Sequence, residues 1–255
     1  TINQAIVVDK LLDGQNYVPG SLKVYPMMLK SGKDSYDVGS EEVDSTTYTV
    51  IEPSASNGNT LTVKFNHPIK EAYYMTFTTN LEGKTFDPAR KSISNTAIVN
   101  DGDQKVTELT ASVNVPNAGD YALKGGQQNG NYINWTININ PGQSYVSHAK
   151  IVDDPSSNQV LVENSFKLYN VTIKEDGTIA KDSDSLLVRD TDYTLDISTD
   201  ADGKQRFVLA FKKDIEKAYI LEYQSFITAN DKESVTNKVK FEGDQITFEL
   251  KETEK

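Results

Sequence analysis

The chain has 255 residues, enough for one or two domains, and a formal net charge of −11. Its acidic residues are spread along the sequence, so repulsion from phosphate argues against nucleic acid or an anionic membrane as a partner. The lack of cysteine excludes disulfides, thiolate zinc sites and thiol nucleophiles. No apolar run approaches the roughly 20 residues of a membrane-spanning helix, which argues against membrane insertion.

Short stretches in which apolar and polar residues alternate recur along the chain. Such alternation predicts strands with one buried face, because successive side chains of a strand point to opposite faces. In chain order the clearest stretches are 61–65, 109–115, 132–140, 207–211 and 219–223. Turn signals separate them, and no long amphipathic helix is evident. We therefore expect an all-β fold of tandem Ig-like or jelly-roll antiparallel β-sandwich domains.

The predicted strands repeat at an interval of about 144 residues. Solenoid units are about 20 to 50 residues long, so a repeat of this length corresponds to a whole domain. The matching segments are 5–9 with 149–153, 21–25 with 165–169, 47–50 with 192–195, and 69–73 with 215–219. The chain is thus predicted to be a tandem array of one fold.

The tripeptide Gly-Asp-Gln at 102–104 returns at 243–245 and marks the predicted domain boundaries. We expect a first domain over residues 1–103, a complete second domain over 104–245 and a C-terminal tail over 246–255. The tail is either the start of a third repeat or a docking strand. The first domain lacks its N-terminal strands, which leaves an open sheet edge unless another strand covers it.

Two polar residues of each repeat lie on predicted strand faces that are otherwise apolar. They are Asp9 and Asn95 in the first repeat, and Asp153 and Asn237 in the second. A carboxamide that faces a core costs a few kcal/mol unless it is paired, so these residues need a shared partner. One interpretation is a structural Asn–Asp hydrogen-bond network. The other is an intramolecular isopeptide bond.

An isopeptide bond needs a lysine in the same dry site. Desolvation lowers the pKa of a buried lysine, and the neutral amine is a nucleophile. A buried acid that keeps its proton can polarise the asparagine carbonyl and transfer protons. Attack of Nζ on Cγ then releases ammonia and leaves an amide, without a cofactor or metal.

Several segments resemble the collagen-adhesin domain of Gram-positive cell-wall proteins, whose wider group includes the clumping-factor-type fibrinogen adhesins. They are Lys124-Gly125-Gly126, 132–140, 145–147, Ile151-Val152-Asp153, 18–25 and 235–237. The resemblance covers the second repeat and the later two-thirds of the first. It implies a β-sandwich and an isopeptide bond within the domain.

The resemblance implies that Lys124, Asp153 and Asn237 are the reacting residues. Because the loop between Lys124 and Trp135 is shorter than is usual in the family, Asn117 is the alternative at the aligned position, and no bond would then form. In the first repeat, Asp9 and Asn95 are the structural counterparts, and the lysine lies outside the chain.

The resemblance further implies a secreted adhesin fragment of a bacterial cell wall, with peptidoglycan anchoring outside the fragment. The expected partner is a host extracellular-matrix protein of the collagen or fibrinogen type. No cofactor, metal or enzyme turnover is expected, apart from a single autocatalytic isopeptide step. The alternative is a set of non-binding stalk repeats, and a third, weaker hypothesis is a carbohydrate-binding module of a secreted enzyme.

Overall fold

Antiparallel β-strands joined by turns make up the computed structural model, which describes residues 1–12, 14–31, 35–250 and 253–254. The expected all-β, antiparallel sandwich class is confirmed. Three single 3₁₀ turns, at Ser45–Thr47, Ala55–Asn57 and Glu163–Ser165, are the helical elements of these residues. The chain divides into unit 1, Thr1–Leu81 with Ser92–Asn114, and unit 2, Glu82–Lys91 with Val115–Lys255.

The described part of unit 1 contains ten strands. They are β1 (Ala5–Lys10), β2 (Asn16–Tyr17), β3 (Lys23–Leu29), β4 (Tyr36–Val38), β5 (Tyr48–Ile51), β6 (Thr60–Phe65), β7 (Ala72–Thr76), β8 (Thr79–Asn80), β9 (Ser92–Asp101) and β10 (Gln104–Asn114). One sheet has the order β10-β9-β1-β6-β5, the second has the order β4-β3-β7, and β2 pairs with β8. Ala5, Val24 and Phe65 form a small buried cluster of this unit.

The described part of unit 2 contains twelve strands. They are β11 (Ala122–Asn129), β12 (Tyr132–Ile139), β13 (Lys150–Pro155), β14 (Gln159–Leu161), β15 (Lys167–Ile173), β16 (Ile179–Leu186), β17 (Tyr193–Thr199), β18 (Gln205–Phe211), β19 (Tyr219–Ile227), β20 (Thr236–Glu242), β21 (Thr247–Glu249) and β22 (Thr253–Glu254). One sheet of unit 2 has the strand order β11-β12-β19-β15-β16, and β14 also pairs with β19. The other sheet has the order β17-β18-β13-β20-β21, and β22 also pairs with β20.

The core of unit 2 follows directly from the alternation in its strands. In β12 the residues Ile133, Trp135, Ile137 and Ile139 are buried, and the Asn and Thr residues between them are not. Side chains from both sheets fill the space between them, including Leu221, Phe207 and Phe241. This core is far larger than the cluster of unit 1.

The two units share one strand order, as the sequence repeat predicts. The sheet β10-β9-β1-β6-β5 corresponds to β21-β20-β13-β18-β17, and β4-β3-β7 corresponds to β16-β15-β19. Unit 2 adds the hairpin β11–β12, which pairs with β19. In the described part of unit 1, β7 pairs with β3 alone, so its other edge is open.

The structure divides the chain at a different point from the boundary expected between residues 103 and 104. Residues 103 and 104 lie at the turn of the hairpin β9–β10. The ladder of backbone hydrogen bonds in this hairpin keeps β10 in unit 1. The segment Glu82–Lys91 belongs to unit 2, where the backbone N–H of Tyr145 donates to the Lys84 carbonyl. The expected tail, 246–255, contains β21 and β22, both paired with β20; residues 251, 252 and 255 lie outside the described residues.

Candidate functional site

Four side chains meet in the interior of unit 2, two from each sheet. Lys124 lies on β11 and Tyr223 on β19, whereas Asp153 lies on β13 and Asn237 on β20. Each has a buried apolar core residue two positions away on the same strand face, so the pleat turns it inward; these neighbours are Ala122, Leu221, Ile151 and Val239. The site therefore connects the two sheets through polar groups in an apolar core.

The four side chains form one hydrogen-bond network. Lys124 Nζ donates to Asp153 Oδ2 and, at 2.6 Å, to the Tyr223 hydroxyl. That hydroxyl donates to Asp153 Oδ1 at 3.1 Å and accepts from Asn237 Nδ2 at 2.9 Å. Among the described residues, Asn237 Oδ1 has no hydrogen-bond partner. The carboxamide oxygen of Asn237 is thus the one polar atom of the cluster left unsatisfied.

Burial sets the electrostatics of the cluster, because the side chains of Lys124 and Asp153 are 0% exposed. Desolvation lowers the pKa of Lys124, against the attraction of the Asp153 carboxylate. Desolvation likewise raises the pKa of Asp153, against the effects of Lys124, Tyr223 and Asn237. Both shifts favour the neutral amine and the neutral acid over the ion pair.

Aromatic rings enclose the lysine and exclude water from it. The Lys124 Nζ lies 5.0 Å from the ring centroid of Trp135 and 5.3 Å from that of Tyr223. Phe166 stacks on the Tyr223 ring at 4.8 Å, and Phe207 meets the same ring edge-on at 5.1 Å. The result is a dry pocket that holds a nucleophile, an acid and a carboxamide.

The structure brings together the three residues that the sequence singled out, and it adds a fourth. Lys124, and not Asn117, lies at the site; Asn117 has a φ of 58° and donates from Nδ2 to the Gly177 carbonyl at 2.8 Å. The sequence pattern did not single out Tyr223, because a tyrosine is common on an apolar strand face. It could have been found from the fact that a tyrosine on a buried strand face needs a hydrogen-bond partner for its hydroxyl.

In unit 1 the corresponding pair is simpler. Asn95 Nδ2 donates to Asp9 Oδ2 at 2.7 Å, and burial raises the pKa of Asp9. The repeat aligns Phe77 with Tyr223, so unit 1 has no phenol at this position. Asp9 and Asn95 therefore form the two-membered Asn–Asp contact that was one of the two interpretations.

A polar groove of about 510 Å³ lies on the outer face of the sheet that carries Lys124. It crosses β11, β12, β19 and β15, and Gln224 Nε2 donates to Asn134 Oδ1 within it at 2.8 Å. A Cβ added at Gly125, in the middle of β11, would meet nothing within 4 Å, so the sheet surface is open there. Other residues that line the groove include Gln127, Thr136, Lys167 and Glu222.

The described residues contain no cluster of three or more His, Asp or Glu side chains that could hold a metal ion. The acidic stretch at 200–203 is a turn, in which Asp200 Oδ1 accepts from the backbone N–H groups of Asp202 and Lys204. Within the same residues, no helix has the length and apolar character needed to cross a membrane.

The collagen binding domain family matches the chain over residues 1–109 and 122–252. No significant relative was found among curated protein sequences. Similar solved structures include the collagen-binding subdomain of the Enterococcus faecalis surface protein ACE, with 19% identity, a TM-score of 0.36, and coverage of 53% of this chain and 92% of that one. The collagen-binding domain of a Staphylococcus aureus adhesin has 18% identity, a TM-score of 0.35, and coverage of 53% and 95%. That of the Erysipelothrix rhusiopathiae surface protein RspB has 14% identity, a TM-score of 0.39, and coverage of 96% and 79%.

Proposed function

Because the chain belongs to the collagen binding domain family, we propose that it is part of a cell-surface adhesin and that unit 2 binds triple-helical collagen. The observation that carries this proposal is the family match along nearly the whole chain. The proposed binding surface is the polar groove on the outer face of β11, β12, β19 and β15. Its role is adhesion, with no turnover of a substrate.

The chemistry of the groove supports a ligand of this kind. Collagen chains have a polyproline II conformation without hydrogen bonds inside a chain, and the surface of the triple helix presents hydroxyproline hydroxyls and those backbone carbonyls that are not paired between chains. Asn134, Gln224 and Gln127 offer neutral amides that can both donate and accept. The open surface at Gly125 leaves room for a rod-shaped ligand to lie across the strands.

Binding to an immobilised triple-helical collagen peptide tests this proposal. Asn134→Ala and Gln224→Ala each remove an amide from the groove, and each is expected to weaken binding about fivefold, corresponding to a lost hydrogen bond of about 1 kcal/mol. Ser198→Ala, an exposed substitution on the other sheet, serves as the matched control and should leave binding unchanged.

Fibrinogen and heat-denatured collagen are assayed in parallel with the triple-helical peptide. Binding to fibrinogen alone would contradict a collagen-binding role. Absence of binding to every ligand by correctly folded protein would support the alternative that these repeats form a stalk, an alternative favoured by the duplication itself.

For the interior of unit 2, we infer an isopeptide bond between Lys124 Nζ and Asn237 Cγ. The neutral amine attacks Cγ, the Cγ–Nδ2 bond breaks, and ammonia leaves with a proton that Asp153 transfers from Nζ. Support comes from the complete burial of Lys124 and Asp153 and from their pKa shifts toward neutrality.

Intact mass spectrometry tests the bond. We expect the purified chain to be lighter than its calculated mass by one ammonia, and Lys124→Ala or Asn237→Ala to restore the mass calculated for each variant. A wild-type chain of unshifted mass would leave the hydrogen-bond network as the better interpretation.

A further inference from the structure

We propose that His148 is a pH-sensitive clasp of unit 2. In its protonated form it holds the turn between β20 and β21 against the segment that precedes β13. When the ring loses its proton, that turn and the edge strand β21 loosen. The clasp acts on the fold of unit 2, so it is independent of the collagen and isopeptide proposals above.

The first observation is a direct contact between the histidine and the turn. His148 Nδ1 lies 2.6 Å from Asp244 Oδ2, a short separation that is typical of a charge-assisted hydrogen bond. Asp244 lies between the end of β20 at Glu242 and the start of β21 at Thr247. The contact therefore fixes the turn through which β21 is connected to β20.

The second observation is that backbone contacts already hold both sides of this pair in place. The Asp244 N–H donates to the Ser147 carbonyl at 3.0 Å, and the Ser147 N–H donates to Gln245 Oε1 at 2.9 Å. A Cβ at Gly243 would collide with a methyl group of Val146, so the turn packs tightly on this segment. Because the backbones are fixed, the pair loses less entropy than a flexible surface ion pair does.

The sequence repeat offers a comparison within the chain. Position 148 corresponds to Gln4 in unit 1, and the turn at 243–245 corresponds to 102–104. In unit 1 the Gln4 N–H donates to Asp101 Oδ1 at 2.8 Å, and the Gly102 N–H donates to the Gln4 carbonyl at 2.9 Å. Both units thus tie this turn to the preceding segment, and in unit 2 the tie includes a titratable ring.

The third observation is that two carboxylates act on the imidazole from two different loops. Asp244 belongs to the β20–β21 turn, and Asp214 belongs to the loop between β18 and β19. The Tyr145 hydroxyl donates to Asp214 Oδ2 at 2.6 Å, and this hydrogen bond lowers the pKa of Asp214. The Ser147 hydroxyl in turn donates to the Tyr145 hydroxyl at 3.2 Å. Asp214 therefore stays ionised over the range in which His148 titrates.

The carboxylates favour the charged form of the ring. The hydrogen bond to Asp244, and then the charges of Asp244 and Asp214, raise the pKa of His148 above its ordinary value of 6.5. The resulting stabilisation is fully present below pH 6.5 and is lost as the pH rises through the raised value. The neutral ring keeps a hydrogen bond to Asp244 only as the Nδ1–H tautomer, and it no longer attracts either carboxylate. The turn is thus held most firmly in mildly acidic solution.

β21 is the element that responds to the clasp. It pairs with β20 over three residues, Thr247–Glu249, and Phe248 packs partly against the core. On the outer face, Glu249 Oε2 lies 3.3 Å from Lys238 Nζ. A short edge strand of this kind is among the first elements of a fold to open. Because the His148 side chain is 82% exposed, the expected effect on β21 is modest.

The clasp itself is tested by NMR titration of the imidazole signals in the full 255-residue chain, which has two histidines. The His148 signals should move with a midpoint above pH 6.5, and Asp244→Asn should lower that midpoint. The signals of His67, in unit 1, are the internal reference and should be the same in both proteins. An unchanged midpoint in Asp244→Asn would overturn the proposal.

Hydrogen exchange with mass spectrometry measures the effect on β21. After correction for the intrinsic exchange rate, the amides of residues 247–249 should be about two- to fivefold less protected at about pH 9 than at about pH 6. His148→Asn accepts a left-handed backbone, such as the φ of 51° at this position, but does not titrate. It should show the lower protection at both pH values.

The amides of β10, the corresponding strand of unit 1, are the control within the same sample and should show no such change with pH. Equal protection of β21 at the two pH values in the wild type would overturn the proposal. A pH difference that persists in His148→Asn would do so as well, because another group would then be responsible.

Discussion

The hydroxyl of Tyr223 is the centre of the polar cluster in unit 2. It contacts Lys124, Asp153 and Asn237, so it holds the nucleophile and the carboxamide in one arrangement. Its own proton is firmly held, because burial and the neighbouring Asp153 raise the pKa of Tyr223 well above its ordinary value. We therefore regard it as a positioning residue and not as the proton-transfer group.

Tyr223→Phe removes this hydroxyl and keeps the ring. We expect isopeptide formation to slow by about 10- to 100-fold, corresponding to roughly 1.4–2.8 kcal/mol of lost positioning. The measurement is the fraction of freshly synthesised chain that has lost ammonia, followed over time by mass spectrometry.

Tyr121→Phe is the matched control, because the Tyr121 hydroxyl donates to the Phe86 carbonyl and is equally buried. It should lower thermal stability without changing the rate of ammonia loss. Equal rates in Tyr223→Phe and the wild type would contradict the positioning role.

At the scale of elements, the strands were predictable and their assignment to units was not. Alternation in 132–140 and 219–223 is strong because each of these strands has one face in a dense core. The repeated tripeptide at 102–104 marks a hairpin turn. A local turn signal does not show to which unit the next strand belongs.

The site residues were likewise predictable only where the local sequence pattern was sufficient. Asp153 and Asn237 were detectable as polar residues on apolar strand faces, since burial of such groups is costly without a partner. The choice between Lys124 and Asn117 depended on the register of β11 against β12, in which Lys124 lies opposite Ile137. Register is fixed by packing of the whole sheet, which a loop length does not reveal.

β10 and β21 occupy corresponding edge positions in the two units, and the burial of their apolar side chains can be compared directly. Phe248→Ala should destabilise unit 2 by about 1–2 kcal/mol, less than for a fully buried Phe because its side chain is only partly buried. Leu109→Ala should change stability by less than about 0.5 kcal/mol, because that side chain is largely exposed. Chemical denaturation measures both, and similar losses would contradict the difference in coverage.

At the scale of the whole molecule, the proposed bond joins strands that are distant in sequence. It would close a loop of about 113 residues between Lys124 and Asn237. By analogy with a disulfide, restricting the unfolded chain in this way stabilises the folded state by about 4–5 kcal/mol. The stabilisation arises mainly in the unfolded state, so it does not depend on extra contacts in the native core.

Calorimetry of the wild type and Asn237→Ala tests this effect. The wild type should show a transition of unit 2 at a markedly higher temperature, and the unit 1 transition should be unchanged because its Asp9–Asn95 contact is intact in both proteins. A unit 2 transition at the same temperature in the wild type and in Asn237→Ala would argue that no covalent link is present.

The assignment of Glu82–Lys91 to unit 2 has a consequence for biochemical work on this protein. The polypeptide crosses from one unit to the other three times, after Leu81, after Lys91 and after Asn114. Limited proteolysis at one crossing therefore leaves at least one fragment with residues that belong to both units. Fragments cut after Asn114 should co-elute under native conditions and separate only in denaturant, so the halves cannot be isolated by a single cleavage.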